Sequence, residues 1–298
     1  MNVTIFSDEI KDKNFFVTNK LIKYFSENCC SVYIDEKKAS DRCIDAQNCV
    51  FGLLSDICKK SDIAIVVGGD GSILKAAKVT SKFSLPVLGI NIGRIGYMTQ
   101  AEPDDYDLFF KIASSKNFIE FCEKYGIRTE TRMMISCDVS RNGKIVYKSD
   151  ALNDFVISKG DISRMIDIDL LSENNEIAKY RADGIIISTP TGSTAYSMSA
   201  GGAIIDPSIE CISVIPVCPY LCINSSPIIF SKNSRISVKF NESKANKAFL
   251  TTDGDENFSL EDNDIINIYK SERYTELVKV KDIDFFKLLN IKISKFFN

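Results

Sequence analysis

The sequence predicts two domains: an α/β N-terminal domain with a mostly parallel, Rossmann-like sheet, and a mainly β C-terminal domain, followed by a C-terminal helical segment. Three observations predict this. Apolar strand-like runs alternate with helically spaced segments through about the first third of the chain. Period-two alternation between turns takes over beyond it, and helical spacing comes back at the end.

In the first part, strands are predicted at 2–6, 31–34, 63–67 and 86–90, with helices at 14–25 and 49–60 between them. Short connections and this rhythm imply parallel neighbours, whose ligands bind beyond the carboxyl ends of the strands. A helix-like stretch at 104–115 precedes the change of period. Segments 133–140 and 145–148 then flank Arg141-Asn142-Gly143-Lys144, an Asn-Gly hairpin signal. The pattern repeats at 166–172 and 177–181 around a polar turn at 173–176. Further strands are predicted at 184–188, 212–216, 235–240, 248–252 and 265–269. The last segment, 283–297, sets Phe285, Phe286, Leu288, Leu289, Ile291, Ile293, Phe296 and Phe297 at helical spacing.

Two segments carry chemistry. Ile63 to Val67 runs into Gly68-Gly69-Asp70-Gly71-Ser72 and then a helical pattern, a strand, glycine turn and helix start where unpaired N–H groups and the helix dipole favour an anion. Glycines permit positive φ and close backbone approach there, and Ser72 is suited to the N-cap. The second segment, Asp183 to Gly202, couples an apolar run at 184–188 to Thr189-Pro190-Thr191-Gly192-Ser193-Thr194, whose hydroxyls and open backbone suit a sugar or phosphate. The same loop also reads as a turn that only redirects the chain.

At 298 residues, with 45% hydrophobic and 26% charged content, the chain can hold two domains and bury a sizeable core. A net charge of −3 and a pI near 5.3 argue against a nucleic-acid-coating surface. An anion would instead be held locally, by backbone N–H groups, a helix N-terminus and side chains such as Arg94 and Arg181, each of which also reads as a solvated arginine. Ten cysteines occur without a secretory signal or an apolar run long enough for a bilayer, so no disulfide framework is expected and the predicted compartment is the reducing cytoplasm, with no membrane partner. Cys29 and Cys30 read as core thiols, and Cys218 and Cys222 lack the second pair that a zinc site needs. The chain has no histidine, which removes imidazole from any catalytic or metal-binding role.

The two segments in this order resemble the NAD kinase family. Asn91-Ile92-Gly93-Arg94-Ile95-Gly96-Tyr97 resembles its NxGxxGF segment, and Ala151-Leu152-Asn153-Asp154 its LN-acidic motif. Arg181-Ala182-Asp183-Gly184 resembles the lead into its TPTGSTAY loop, and Thr252-Asp253-Gly254 its late Asp-Gly turn. The similarity runs from about Ile63 to Phe286. Diacylglycerol and sphingosine kinases share a GGDG turn, so the 189–202 segment is what points to NAD. Ser72 stands where the family usually has threonine and Tyr97 where it usually has phenylalanine. Tyr220, within Pro216-Val217-Cys218-Pro219-Tyr220-Leu221, stands where it often has histidine.

The resemblance implies phosphoryl transfer from ATP, or from polyphosphate, to the adenosine-ribose 2′-hydroxyl of NAD, giving NADP, with a divalent cation such as Mg²⁺. It implies that Asp70 meets the acceptor hydroxyl as base or orienting acceptor, and that Gly68, Gly69, Gly71, Ser72 and Arg94 face the donor phosphates. Asn91, Tyr97, Asn153, Asp154, Arg181, Asp183, Thr194, Ala195, Tyr196 and Ser199 would contact the dinucleotide, with Asp253 a further candidate. It also implies a C-terminal segment packed on the first domain, hence domains of 1–125 plus 274–298 and 126–273, and a homodimer or homotetramer. The residues alone leave other readings open. Asp70 could bond its own turn, Asn153-Asp154 could be a plain turn, and Tyr196 could lie in the core. The whole protein could be a lipid kinase, a nicotinamide-dependent oxidoreductase or a nucleotide sensor without chemistry.

Overall fold

The computed structural model describes residues 1–94, 96–161, 164–173, 175–220, 226–241 and 247–294. It forms two compact units, Met1–Thr131 with Thr275–Asn298, and Arg132–Tyr274. The chain passes from one to the other within the strands Arg128–Arg141 and Ile265–Lys279.

In the first unit the strands Val50–Gly52, Ser31–Asp35, Asn2–Ser7, Ile63–Gly68 and Val87–Asn91 lie side by side in that order, all parallel. The central strand Ile63–Gly68 is buried along its whole length, which is why its sequence is an unbroken apolar run rather than an alternating one. Helices Phe16–Glu27 and Asp70–Thr80 supply the crossovers, and Phe25, Ile63, Ile65, Leu88, Ile90 and Phe109 share one core. The order brings the carboxyl ends of three strands together, so Asp8, Gly68 and Asn91 become neighbours: Asp8 N–H donates to Val67 O and Ile92 N–H to Gly68 O.

The second unit is antiparallel. One sheet runs Ile228–Ser231, Cys211–Val217, Gly184–Ser188, Asp154–Lys159, Ala248–Thr252, Glu256–Leu260. Facing it, Asn175–Ala182, Ile166–Ser172, Ile236–Asn241 and Ile265–Lys279 are hydrogen-bonded in that order, and Arg128–Arg141 pairs with Lys144–Ala151. Phe155, Ile157, Ile185 and Ile187 from one sheet share a core with Ile168, Leu170 and Val238 from the other. Ile186 points to the opposite face, into a small cluster with Val156 and Ile215 against which Ala200 packs, so this strand too is covered on both sides. The Asn142-Gly143 turn has positive φ at both residues, 51° and 75°, as a two-residue hairpin requires.

Three local expectations change. Residues 49–60 are not one helix: Val50–Gly52 extends as the edge strand and only Leu54–Lys60 is helical, because Val50 and Phe51 gain a parallel partner in Tyr33 and Ile34. A second helix, Phe118–Tyr125, follows Tyr106–Ala113, started by an Asn117 cap that accepts from Glu120 N–H and ended by Gly126 at φ 65°. Cys30 is buried but Cys29 is exposed at φ 61°. The described cysteines are free thiols, while Cys222 and residues Phe296 and Phe297 of the predicted last helix lie outside the described residues. Among the described residues no helix is long and apolar enough to cross a membrane.

Candidate functional site

In the first unit, the turn after Ile63–Gly68 delivers Asp70 to the first position of the helix Asp70–Thr80. The N-cap is Gly69, not Ser72, and none of Gly68, Gly69 and Gly71 has positive φ. What the turn needs is room. Ser72 Oγ lies where a Cβ on Gly68 would be, donates to Asp8 Oδ2 at 2.7 Å and receives Gly69 N–H at 3.4 Å, so the serine closes the turn from inside. Asp8 was not anticipated, although it lies at the carboxyl end of the first strand, where the parallel-sheet rule directs attention. Its carboxyl is held below the usual value by the Ser72 hydroxyl, the Lys11 and Ile10 N–H groups and the Lys11 charge, which together outweigh its burial.

Asp70 does not bond its own turn. Its Oδ2 accepts from Tyr97 N–H at 2.7 Å and its Oδ1 from Met98 N–H at 3.0 Å, so the carboxylate pins the segment after Val87–Asn91 to the helix start. Gly96 makes this possible: a Cβ there would stand 2.2 Å from Asp70 Oδ1. Asn91 is buried with its Nδ2 donating to Gly93 O and its Oδ1 unpartnered. Gly71, Gly93 and Arg94 are exposed, leaving the helix start open at Asp70 and Gly71, ahead of the first bonds from Ser72 and Ile73 N–H to Gly69 O.

In the second unit, Asp253, at φ 49°, accepts from the N–H groups of Leu152, Asn153 and Asp154 at 3.0, 2.8 and 3.1 Å. It is the brace of the Leu152-Asn153-Asp154 turn. The TPTGST loop is tied to the same turn: Thr189 N–H donates to Asn153 O at 2.9 Å, Thr189 Oγ1 to Leu152 O at 2.6 Å, and a Cβ on Gly192 would lie 2.1 Å from Asn153 O. Ser193 Oγ donates to Pro190 O and accepts from Ile205 N–H, and Thr194 Oγ1 donates to Thr191 O. The hydroxyls that looked free for a ligand therefore mostly hold the loop, a 3-10 turn at Thr191–Thr194 leading into Tyr196–Ser199. Arg132, buried on the long strand Arg128–Arg141, donates to Thr191 Oγ1 at 3.3 Å. Nothing in the local sequence marks it.

What the loop presents outward is different. Asn153 Oδ1 is buried without a partner. Asp154 is 4% exposed, and burial, then the Asp253 charge, raise its pKa to about 7. Thr194 and Ala195 are half-buried, Ser199 is exposed, and Tyr196 is 48% exposed and so not a core residue. Asp183 and Arg181 stand apart from this group. Ser188 pairs with Asp154 but Gly184 with Ser158, so Asp183 sits at the far end of the strand, roughly 17 Å away at about 3.3 Å per residue. Its carboxylate is bound to Lys159 Nζ at 2.6 Å, and Arg181 is exposed.

Comparison with known proteins matches both halves of the chain to one family: the ATP-NAD kinase N-terminal domain over residues 3–112 and the ATP-NAD kinase C-terminal domain over residues 152–280. The NAD kinase of Thermoanaerobacter sp. (strain X514) is 38% identical over 286 residues, covering 96% of each chain. That of Lachnoclostridium phytofermentans is 35% identical over 298 residues, covering 97% of this chain and 98% of its own. Among solved structures, yeast NADH kinase complexed with NADH shares the fold at a TM-score of 0.82 and 23% identity, covering 99% of this chain and 87% of its own. An NAD kinase from Archaeoglobus fulgidus in complex with ATP aligns at a TM-score of 0.69 and 25% identity, covering 99% of both.

Proposed function

The chain belongs to the NAD kinase family, and from that membership we propose how its residues divide the conversion of NAD to NADP. The protein is a phosphotransferase with NAD as acceptor. The observation that carries the division is Asp70: a carboxylate at a helix start, fixed by two backbone donors beside an open glycine turn.

In our reading the donor is ATP, whose phosphates lie along Gly68, Gly69, Gly71 and the first turn of Asp70–Thr80, with Arg94 at the margin. The ribose 2′-oxygen bonds to the γ-phosphorus as the bond from that phosphorus to the β,γ-bridging oxygen breaks. ADP leaves with the electron pair, and the hydroxyl proton passes to Asp70. A carboxylate is a weak base toward an alcohol, so the proton moves late, as the new bond forms. Asn91 and Tyr97 hold the Asp70 side of the dinucleotide. Asn153, Asp154, Thr194, Ala195, Tyr196 and Ser199 recognise its ribose, amide and ring groups. The orphaned Asn153 Oδ1 supports this, as does an Asp154 that near neutrality can donate as an acid or accept as an anion. Ser72 is recast as an internal brace of the turn.

A divalent cation, most simply Mg²⁺, would neutralise charge on the donor phosphates. In this reading the ion is carried mainly by phosphate oxygens and water, with few protein ligands. A cytoplasmic location, testable by fractionation, suits the unpaired thiols. We also expect a homodimer or homotetramer, because among the described residues the strand Asn175–Ala182 is paired on one side only, with Ile177 exposed on it. Light scattering from a 33.3 kDa species alone would overturn that expectation.

The acceptor atom is tested with NAD lacking only the adenosine 2′-hydroxyl, supplied with ATP and Mg²⁺. It should bind and compete with NAD yet yield no phosphorylated dinucleotide. Phosphorylation of the 2′-deoxy compound would remove Asp70 from the 2′-position. Replacing ATP by polyphosphate in the same assay reads the donor directly.

A further inference from the structure

The C-terminal helix Phe285–Ser294 carries one polar group into the neighbourhood of Asp70. Lys292 Nζ stands 3.5 Å from Asp70 Oδ2, the oxygen that also accepts Tyr97 N–H, and 3.3 Å from the centroid of the Tyr97 ring. Its side chain is 17% exposed, against 28% for Asp70. The Phe285 ring packs on the same tyrosine, with centroids 6.1 Å apart, so Tyr97 is held from both ends of the helix.

This placement is not required to satisfy Asp70. The Tyr97 and Met98 N–H groups already serve both carboxylate oxygens. A lysine loses side-chain freedom and hydration when it is drawn out of water, and its aliphatic stem alone could have packed on the ring with the ammonium in solvent. The charge is instead brought to the carboxylate, over the negative face of an aromatic ring. A triphosphate arriving at this turn would bring more negative charge toward Asp70, and Lys292 sets a largely buried cation against that carboxylate, whereas Arg94 is exposed and Lys11, beside Gly69, is 43% exposed and paired with Asp8.

We propose that Lys292 is a positioning residue for the transfer: its ammonium orients the Asp70 carboxylate and offsets the charge that gathers there in the transition state. The inference rests on the role given to Asp70 above. Among the described residues, Asp70 faces Lys292 from the helix start and Tyr97 from the turn. Burial lowers the lysine's pKa from its ordinary value, and Asp70 pulls it partly back. Burial and the Asp70 charge push the Tyr97 phenol up from its ordinary value.

The test compares Lys292→Met, which keeps the stem on Tyr97, with Lys292→Arg, which keeps the charge, and with exposed Lys287→Met on the same helix as control. We expect Lys292→Met to lower kcat roughly 10- to 100-fold, with KM for NAD and Tm little changed. Lys292→Arg should retain most activity, and Lys287→Met should match wild type. The pH profile separates charge from packing: wild-type kcat should fall on the alkaline side as Lys292 loses its proton, whereas Lys292→Arg, charged throughout, should stay level over that range. A Lys292→Met enzyme within about twofold of wild type in kcat, or an alkaline limb unchanged in Lys292→Arg, overturns the proposal. Should Lys292→Met fail to fold, the limb of Lys292→Arg decides alone. Wild-type protein that makes no NADP would overturn the functional reading instead; an active enzyme indifferent to Lys292 overturns only this one.

Discussion

Asp70 in the first unit and Asp154 in the second are the same side chain in opposite surroundings. Asp70 is met by two backbone N–H groups and a lysine, and its site is cleared by a glycine. Asp154 is almost fully buried, receives no hydrogen bond at its carboxylate from any described residue, and lies near the Asp253 carboxylate. The N–H groups that could have served Asp154 are spent on Asp253. One arrangement keeps a charge in place for chemistry, and the other leaves an acid unsatisfied until something else binds it. The difference teaches that function in this chain is assigned by the distribution of backbone donors, not by residue type.

The largest effect expected from breaking this contrast is at Asp70. Asp70→Asn should lower kcat by about two to four powers of ten, the usual worth of a positioned base. It should also be less stable by about 1–3 kcal/mol, because the amide nitrogen must face one of two N–H donors and leave it unpaired. NADP formation and a thermal melt read the two consequences separately. Near-normal turnover would reduce Asp70 to the pin that holds Tyr97 and Met98.

Much of this was legible and some of it was not, for physical reasons. The strands Ile63–Gly68 and Gly184–Ser188 are covered on both faces, so their sequences are continuous apolar runs with clear ends. The edge strand Val50–Gly52 has only three residues and merges with the helical spacing after it. The helix Phe118–Tyr125 carried an Asn117 to Glu120 capping signal that a periodicity search at 104–115 passes over. The strand Ile265–Lys279 outlasts its apolar start because its far half trades alternation for charged and polar residues. Asp70, Asn153 and Asp154 could be named from motifs. Asp253 as a brace, Arg132 under Thr191 and Lys292 beside Asp70 could not, since each contact is made by chain remote in sequence and no local spacing encodes it.

Two glycines sharpen the comparison at the next level of effect. A Cβ on Gly96 meets the Asp70 carboxylate, whereas one on Gly192 meets the backbone oxygen of Asn153. Gly96→Ala should therefore act mainly on kcat, by roughly 10- to 100-fold, through a displaced catalytic carboxylate. Gly192→Ala should act mainly on KM for NAD, raising it about tenfold through a displaced binding turn. Gly71→Ala, with no protein atom within 4 Å of the new methyl, is the control that should fold normally and report only on donor access. If both tight glycines changed the same kinetic constant, the division of labour between the two carboxylate regions would be lost.

The smallest expected effect concerns stability and isolates Asp154. Its folded pKa of about 7 lies above the ordinary carboxyl value of 3.8, so the neutral acid is the favoured native form. The contribution is therefore full below about pH 4 and is lost as pH rises through about 7, where the buried group must ionise beside Asp253. A shift of this size corresponds to at most about 4 kcal/mol. Asp154→Asn mimics the protonated acid at every pH and its amide can donate toward Asp253. The variant should melt close to wild type at about pH 4 and several degrees above it at pH 8, while binding NAD less tightly, because the amide cannot become the anion. Equal melting temperatures at pH 8 would mean that Asp154 is already ionised and paired in the folded protein, and the contrast with Asp70 would then rest on geometry alone.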